Sequence, residues 1–140
     1  MNERPFAGVA EIVGTLAMLE THLEEALEPL GLSLAKFKAL HTLVTAGEAL
    51  PLRTLAEECA CVRSNITQLV DRLEAEKLVV RANDPSDRRS VRAALTPAGR
   101  ECHAEAVHIL EEAGREVFAI LDEEERATLT RVLARLGGRC

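Results

Sequence analysis

A cluster of turn-forming residues divides the 140-residue chain near its middle. Positions 83–90 read Asn-Asp-Pro-Ser-Asp-Arg-Arg-Ser, and short apolar runs flank them at 78–80 and 91–95. Turn formers between two such runs predict a β-hairpin with its turn in the polar segment. The rest of the chain follows a helical pattern, so we expect a mainly α-helical fold with one small β-hairpin.

Apolar residues recur every three or four positions on both sides of the hairpin. They form a continuous stripe over residues 6–30, which predicts a long N-terminal helix. Ser33 is placed to cap a second helix. Thr96 and Pro97 suit the start of a long helix after the hairpin, and Asp122 suits a capping box that begins the last helix.

Two short helices are predicted directly before the hairpin, from Leu52 to about Cys59 and from about Val62 to Glu76. The second has an apolar inner stripe and a polar opposite side. Two short helices with a tight connection are typical of a helix-turn-helix, whose second helix fits the major groove and offers polar side chains to base edges. The predicted DNA-binding residues of this helix are Arg63, Ser64, Asn65, Thr67, Gln68 and Arg72.

The polar hairpin segment carries two arginines, which makes it a candidate wing. Arg88 and Arg89 are expected at the end of the hairpin, where a narrow basic projection suits the negative potential of a DNA minor groove. Asp87 is close enough in sequence to hold one of these side chains by a charge-assisted hydrogen bond. We therefore predict that Asp87, Arg88 and Arg89 complete the DNA-binding site.

Charge and composition narrow the function classes. The net charge is -6, but residues 51–100 carry +2 and the remainder -8, so the positive charge needed near phosphates lies in the middle. Three Phe and no Tyr or Trp argue against recognition by stacking on unpaired bases. The sequence has no nucleophile–base pairing, phosphate-cradling loop or convergent carboxylate motif, so we expect neither an enzyme nor a bound cofactor.

Several segments resemble the MarR family of bacterial regulators. They are residues 55–58 (Leu-Ala-Glu-Glu), 63–74 and, above all, 84–90 followed by Leu-Thr. The residues that match the family's wing pattern (Asp, any residue, Arg, five residues, Leu-Thr) are Asp87, Arg89, Leu95 and Thr96. The predicted order of helices is similar to the family over nearly the whole chain.

The resemblance implies a single domain over residues 1–140, with a winged helix-turn-helix at about 33–96 and dimerisation helices at about 6–30 and 97–137. It implies a homodimer that binds a pseudo-palindromic operator in double-stranded DNA. Such regulators are usually repressors, released by a small phenolic or lipophilic effector or by thiol oxidation. The alternative is a helical dimerisation or anti-regulator protein without DNA binding, which the acidic net charge favours.

Three positions depart from the family pattern around the helix-turn-helix. Lys77 stands where a glycine usually ends the second helix, so a non-glycine residue is expected in a left-handed conformation. Ala60 replaces the usual glycine of the turn, and Val62 replaces the usual capping serine or threonine. These departures weaken the turn and leave the predicted DNA-facing residues intact.

The cysteines and histidines allow further hypotheses. Cys59 and Cys61 fall on positions that are usually apolar, which favours small core residues, with a redox switch as the alternative. His22 and His41 are candidates for an effector crevice between the dimer helices and the DNA-binding module. No pair of histidines has the spacing of a metal site on one helix, so we expect no metal.

The sequence also bears on location. The N-terminal segment lacks the uninterrupted apolar stretch of a signal peptide, and no segment reaches the roughly 20 apolar residues of a membrane span. We therefore expect a cytoplasmic protein.

Overall fold

The computed structural model describes residues 8–59 and 63–138, without the side chain of Arg63. Its helices are α1 (Val9–Leu27), a 3₁₀ turn (Glu28–Leu30), α2 (Leu34–Ala46), α3 (Leu52–Glu58), α4 (Arg63–Ala75), α5 (Pro97–Phe118) and α6 (Glu123–Gly137). Its strands are β1 (Leu50–Pro51), β2 (Val79–Asp84) and β3 (Asp87–Leu95). The predicted fold class, mainly helical with a small β wing, is confirmed.

The predicted starts of α2, α5 and α6 are confirmed. Each is stabilised by hydrogen bonds between residues close in sequence, which is why the sequence predicts it. Ser33 Oγ accepts from the backbone N of Lys36 (3.1 Å), and Thr96 Oγ1 accepts from that of Gly99 (2.9 Å). At α6, Asp122 and the third helical residue exchange the two hydrogen bonds of a capping box. Pro51 is the N-cap residue of α3 and directly precedes its first helical residue.

The sheet has the order β1-β3-β2, and all its pairs are antiparallel. The two-residue strand β1 was not predicted, because it is too short to show an alternating pattern. Leu50 of β1 and Arg81 of β2 both pair with the fully buried Ala93 of β3. The sheet therefore joins the segment before α3 to the hairpin after α4.

The hairpin is longer than predicted, and its turn is shorter. Only Pro85 and Ser86 connect the strands, and Asp84 pairs with Asp87 across them. The register then shifts, so that residues 88–90 have no partner on β2. The arginines therefore lie in an irregular part of β3 and not at the tip, and such bulges redirect the side chains that they carry.

The junction of α4, β2 and α5 is closely packed. Lys77 has φ 63°, which confirms the expected left-handed residue, and the backbone N of Leu78 donates to the carbonyl of Leu73 (2.9 Å) as in a Schellman motif. Thr96 Oγ1 donates to the carbonyl of Lys77 (2.7 Å). A Cβ on Gly99 would come within 2.1 Å of the Leu78 carbonyl oxygen, so only glycine fits there.

Apolar burial is uneven along the chain. The largest fully buried side chains are Leu27, Leu40, Leu43, Leu55, Ile66, Val70, Leu73 and Val79. In contrast, large apolar side chains remain exposed on α1 and α6, namely Val9, Ile12, Val13, Leu16, Met18, Val132, Leu133 and Leu136. The core thus lies around the helix-turn-helix. None of the described helices combines the length and apolarity that a membrane span requires.

Candidate nucleic-acid interface

A cleft of about 700 Å³ lies between the helix-turn-helix and the outer part of the hairpin. Its lining residues come from four elements: Pro51 of β1, Leu52, Arg53, Thr54 and Glu57 of α3, Ile66 and Thr67 of α4, and Asp87, Arg89, Ser90 and Val91 of β3. The polar helix and the arginine-bearing strand therefore lie side by side, as the sequence suggests.

The polar side of α4 is directed away from the core. Ile66, Val70 and Leu73 are buried, whereas the predicted contacts Ser64, Asn65, Thr67 and Gln68 are exposed. Because an α-helix has 3.6 residues per turn, the exposed side chains lie on the face opposite the buried stripe or beside it. Thr67 lies on the side of this face that borders the cleft. The predicted contact Arg63 falls outside the described side chains.

Arg72 lies near a different part of the surface. It lines a cavity of about 480 Å³ that also contains Glu24, Glu25 and Glu28 from the end of α1 and the turn after it. Three carboxylates make this a favourable environment for a guanidinium group. The structure therefore separates Arg72 from the cleft that contains Thr67 and Arg89.

The wing arginines are exposed and lack ion pairs to any residue that the structure describes. Arg89 lines the cleft, whereas Arg88 does not. The expected hydrogen bond from an arginine side chain to Asp87 is wrong, since Asp87 Oδ1 accepts from the backbone N of Arg89 (2.9 Å). Asp87 thus shapes the backbone of the bulge and leaves both guanidinium groups available.

Asp84 organises the hairpin turn. Its Oδ1 accepts from the backbone N (2.9 Å) and Oγ (2.7 Å) of Ser86, and its Oδ2 lies 3.2 Å from Arg92 Nε. The hydrogen bonds from Ser86, and then the Arg92 charge, hold the pKa of Asp84 below its ordinary value although burial opposes this. The Asp-Pro-Ser sequence is the signal that identifies this residue, because Asp side chains often accept hydrogen bonds two residues on.

Arg81 of β2 connects the hairpin to α4. Its backbone N donates to Glu74 Oε2 (2.9 Å) and its Nη1 to Glu74 Oε1 (3.3 Å), while Nη2 donates to the carbonyl of Thr67 (3.3 Å) and to Asp71 Oδ1. Sequence reasoning missed Arg81, because the partners lie seven to fourteen residues earlier and only the fold brings them together. It also missed Arg53, which lines the cleft from α3.

His41 belongs to an aromatic cluster between α2 and α5. His41 Nδ1 and His103 Nε2 share a hydrogen bond (2.9 Å), and the ring of Phe37 stacks on both imidazoles at centroid distances of 5.5 Å. Burial, followed by the nearby His41, lowers the pKa of His103. His41 also lines a cavity of about 400 Å³ between α2, β1 and α3.

His22 lies elsewhere, in a cavity of about 350 Å³ between α1 and α5. Its Nε2 is 3.9 Å from Glu116 Oε2, and Glu25 and Glu112 line the same cavity. The structure therefore does not bring His22 and His41 into one crevice.

The described cysteines are partly or fully enclosed. Cys59 is buried in the core, and its Sγ lies 3.4 Å from Thr42 Oγ1. Burial, and then the nearby carboxylates of Glu105 and Glu76, raise the pKa of Cys102. Cys61 lies outside the described residues. Among the side chains that the structure places, no three His, Cys, Asp or Glu residues converge on a possible metal position.

The family model and two similar curated proteins all indicate a transcriptional regulator. The family model described as "MarR family" matches residues 32–91. The chain is 29% identical over 140 residues to the uncharacterised HTH-type transcriptional regulator YsmB of Bacillus subtilis, covering 97% of this chain and 95% of that protein. It is 30% identical to an HTH-type transcriptional repressor of Mycobacterium bovis, covering 86% of each chain.

The fold also matches solved regulators. The structure of Bordetella bronchiseptica BpsR, whose DNA binding is regulated by 6-hydroxynicotinic acid, superposes with a TM-score of 0.75 and 26% identity over 91% of this chain and 98% of that chain. The B. subtilis and M. bovis relatives are both named as transcriptional regulators or repressors of the HTH type. The chain belongs to the MarR family of transcriptional regulators and carries a DNA-binding winged helix.

Proposed function

We propose that this protein is a homodimeric repressor that binds a pseudo-palindromic operator in double-stranded DNA. The observation that carries this proposal is the common cleft of Thr67 on α4 and Arg89 on β3. A helix and a hairpin that border one cleft can enter adjacent grooves of the same duplex. The repressor activity follows the M. bovis relative, which is named as a repressor.

In this arrangement, α4 enters the major groove and the wing follows the minor groove. The short polar side chains of α4 donate to and accept from base edges, and they are Ser64, Asn65, Thr67 and Gln68. Arg89 is the wing residue that inserts beside the cleft, because its guanidinium group is exposed and unpaired among the described residues. Arg63 and Arg88 contact the flanking phosphates.

The exposed apolar side chains of α1 and α6 support dimerisation through the two ends of the chain. Ile12 is 58% and Leu136 60% exposed, and such apolar surfaces on soluble proteins usually mark an interface. A two-fold dimer places two α4 helices about one helical turn apart on DNA, roughly 34 Å, and therefore requires a two-fold operator.

Selection of a random-sequence duplex library with the wild-type protein tests this function. We expect an enriched inverted repeat, bound by a dimer, with an affinity that falls steeply and log-linearly with salt concentration. Sedimentation of the free protein reports the dimer independently. A folded dimer that enriches no sequence and shifts no duplex at low salt would instead support the dimerisation or anti-regulator alternative.

The effector site that we propose is the cavity beside His41. The His22 cavity is lined by three carboxylates, Glu25, Glu112 and Glu116, which repel an acidic effector. Among the described residues that line the cavity beside His41, Glu58 is the one carboxylate, and the others include threonine hydroxyls. Thr54 lines both this cavity and the DNA cleft, so a ligand there contacts the same helix, α3, that borders the cleft.

A thermal-shift screen of hydroxylated aromatic acids tests this effector class, since a ligand that binds only the folded state raises the melting temperature. We expect hits to release the selected duplex and to lose their shift in His41→Ala but not in His22→Ala. Thiol oxidation is the second release route. The buried Cys59 and the raised pKa of Cys102 do not favour reactive thiolates at the two cysteines that the structure describes.

A further inference from the structure

We propose that Arg81 is a positioning residue for DNA binding, which fixes the wing against α4 and masks the negative charge of Asp71. This proposal rests on the proposed function, because it concerns how the α4–wing surface meets phosphates. Arg81 itself is not proposed to contact DNA. Its side chain is only 26% exposed and is directed toward α4.

The location of Asp71 creates the need for this residue. Asp71 is four residues after Thr67, and residues at this spacing are neighbours on one helix face. Because Thr67 borders the cleft, the exposed carboxylate of Asp71 lies on the DNA-facing side of α4. An unpaired carboxylate there would repel the phosphate backbone.

The contacts of Arg81 offset the charge of Asp71 and also hold the wing against α4. One guanidinium group bonds to the carboxylates of Asp71 and Glu74, and its single positive charge offsets one of the two negative charges on this part of α4. The same side chain donates to the carbonyl of Thr67, and the Arg81 backbone N donates to Glu74. The start of the wing is thus tied to α4 through side-chain and backbone contacts.

The test compares Arg81→Met, Asp71→Asn and the double variant on the duplex selected by the wild-type protein. Arg81→Met keeps the length of the side chain and uncovers Asp71, so affinity should fall about five- to tenfold at low salt. Asp71→Asn removes the uncovered charge of Asp71, so the double variant should regain the part of the loss that comes from its repulsion of phosphates. This rescue should shrink at high salt, because exposed charges are then screened.

Lys36→Met is the matched control. Like Arg81→Met, this variant breaks an ion pair, because Lys36 of α2 pairs with Glu76, the residue that follows α4. That pair lies just past the end of α4 and does not involve the wing, so the control should bind the duplex as the wild type does. Amide exchange in the free protein adds a readout without DNA, because only Arg81→Met should accelerate exchange in β2.

The outcomes separate this proposal from the proposed function. Equal affinity of Arg81→Met and wild type, or no gain of the double variant over Arg81→Met, overturns it while the proposed function stands. A wild-type protein that binds no duplex overturns both. Loss of affinity that Asp71→Asn rescues, with β2 exchange faster than in Lys36→Met, is the result that we expect.

Discussion

The inner and outer halves of the wing both carry arginines but differ in how these are paired. In the inner half, residues 79–82 and 92–95, Arg81 and Arg92 face carboxylates of α4 and of the turn. In the outer half, residues 83–91, Arg88 and Arg89 are exposed, and the structure places no carboxylate beside their guanidinium groups. The arginines that have a carboxylate partner stabilise the fold, whereas those without one in the described structure remain available to DNA.

Changes at the inner end of the wing are therefore expected to cost stability, whereas loss of the exposed arginines of the outer half is expected to cost DNA affinity. Burial supports this division. Val79 and Ala93 of the inner half are fully buried, whereas Arg88 and Arg89 are exposed. Residues that order the inner half should therefore act on DNA binding without contacting it, either through the fold or, at Arg81, through the carboxylate charge that it offsets.

The largest effect is expected from Gly99→Ala at the inner end. The new Cβ would overlap the backbone oxygen of Leu78, directly before β2, and Leu95 Cδ2 lies 3.2 Å away on another side. Backbone cannot move as easily as a side-chain end, so we expect a loss of about 2–4 kcal/mol in the free energy of unfolding. Urea unfolding measures this change.

Gly114→Ala is the control on the same helix. Nothing lies within 4 Å of the position that a Cβ would take there, so alanine should stabilise α5 by about 0.5–1 kcal/mol. If both variants lose stability to the same extent, the close approach of α5 to the inner end is not what makes Gly99 necessary.

Sequence reasoning succeeded where structure depends on near neighbours. The caps at Ser33, Thr96 and Asp122 were predictable because each involves residues within one helical turn. The polar face of α4 was predictable from its periodicity for the same reason. The left-handed Lys77 was predictable from the family pattern, in which a glycine usually stands at this position.

Features that depend on distant pairing were not predictable. Residues 83–90 consist of turn formers, yet pairing across the hairpin extends both strands until only Pro85 and Ser86 remain in the turn. The contacts of Arg81 with α4 and the pairing of the short strand β1 with β3 likewise form only when the chain folds. Asp87 is an exception among near neighbours, because it was expected to bond to an arginine side chain and instead accepts from the backbone N of Arg89.

In the outer half, Arg89→Ala should weaken binding to the selected duplex by about tenfold to a hundredfold, as loss of a groove arginine typically does. Because Arg89 is exposed and lacks an ion pair in the described structure, the urea midpoint should stay unchanged. Fluorescence anisotropy on the duplex measures the affinity.

Arg88→Ala removes the same charge from the neighbouring residue, which does not line the cleft. It should reduce affinity less than Arg89→Ala does and lower the salt dependence by about one phosphate contact. Equal losses in the two variants would mean that the bulge presents both side chains alike.

At the inner end of the wing, Lys77→Gly is expected to increase stability by a smaller amount than Gly99→Ala reduces it. Lys77 has φ 63°, a region that costs a side chain energy and that glycine adopts freely. Glycine should stabilise the protein by about 1 kcal/mol, while Lys77→Ala, which retains the Cβ, should change stability little. Thermal and urea unfolding compare the two variants, and a gain in Lys77→Ala of the same size would assign the effect to the lost charge.

The smallest effect concerns the pH response of the hairpin turn in the outer half. The pKa of Asp84 is lowered chiefly by hydrogen bonds from Ser86, so the folded state prefers the ionised carboxylate. For a lowered pKa, this stabilisation is present above the pKa of the unfolded chain, near pH 4, and is lost as the pH falls through the lower pKa of the folded state. Asp84→Asn should therefore lower stability at neutral pH and flatten its decline below about pH 4.

Urea unfolding from pH 7 to pH 3 measures this, with the exposed Glu48→Gln as the control for one lost negative charge. The same acid decline in Asp84→Asn as in wild type would show that the Ser86 bonds do not depend on the charge of Asp84, and the outer half would then owe its order to the backbone of the turn.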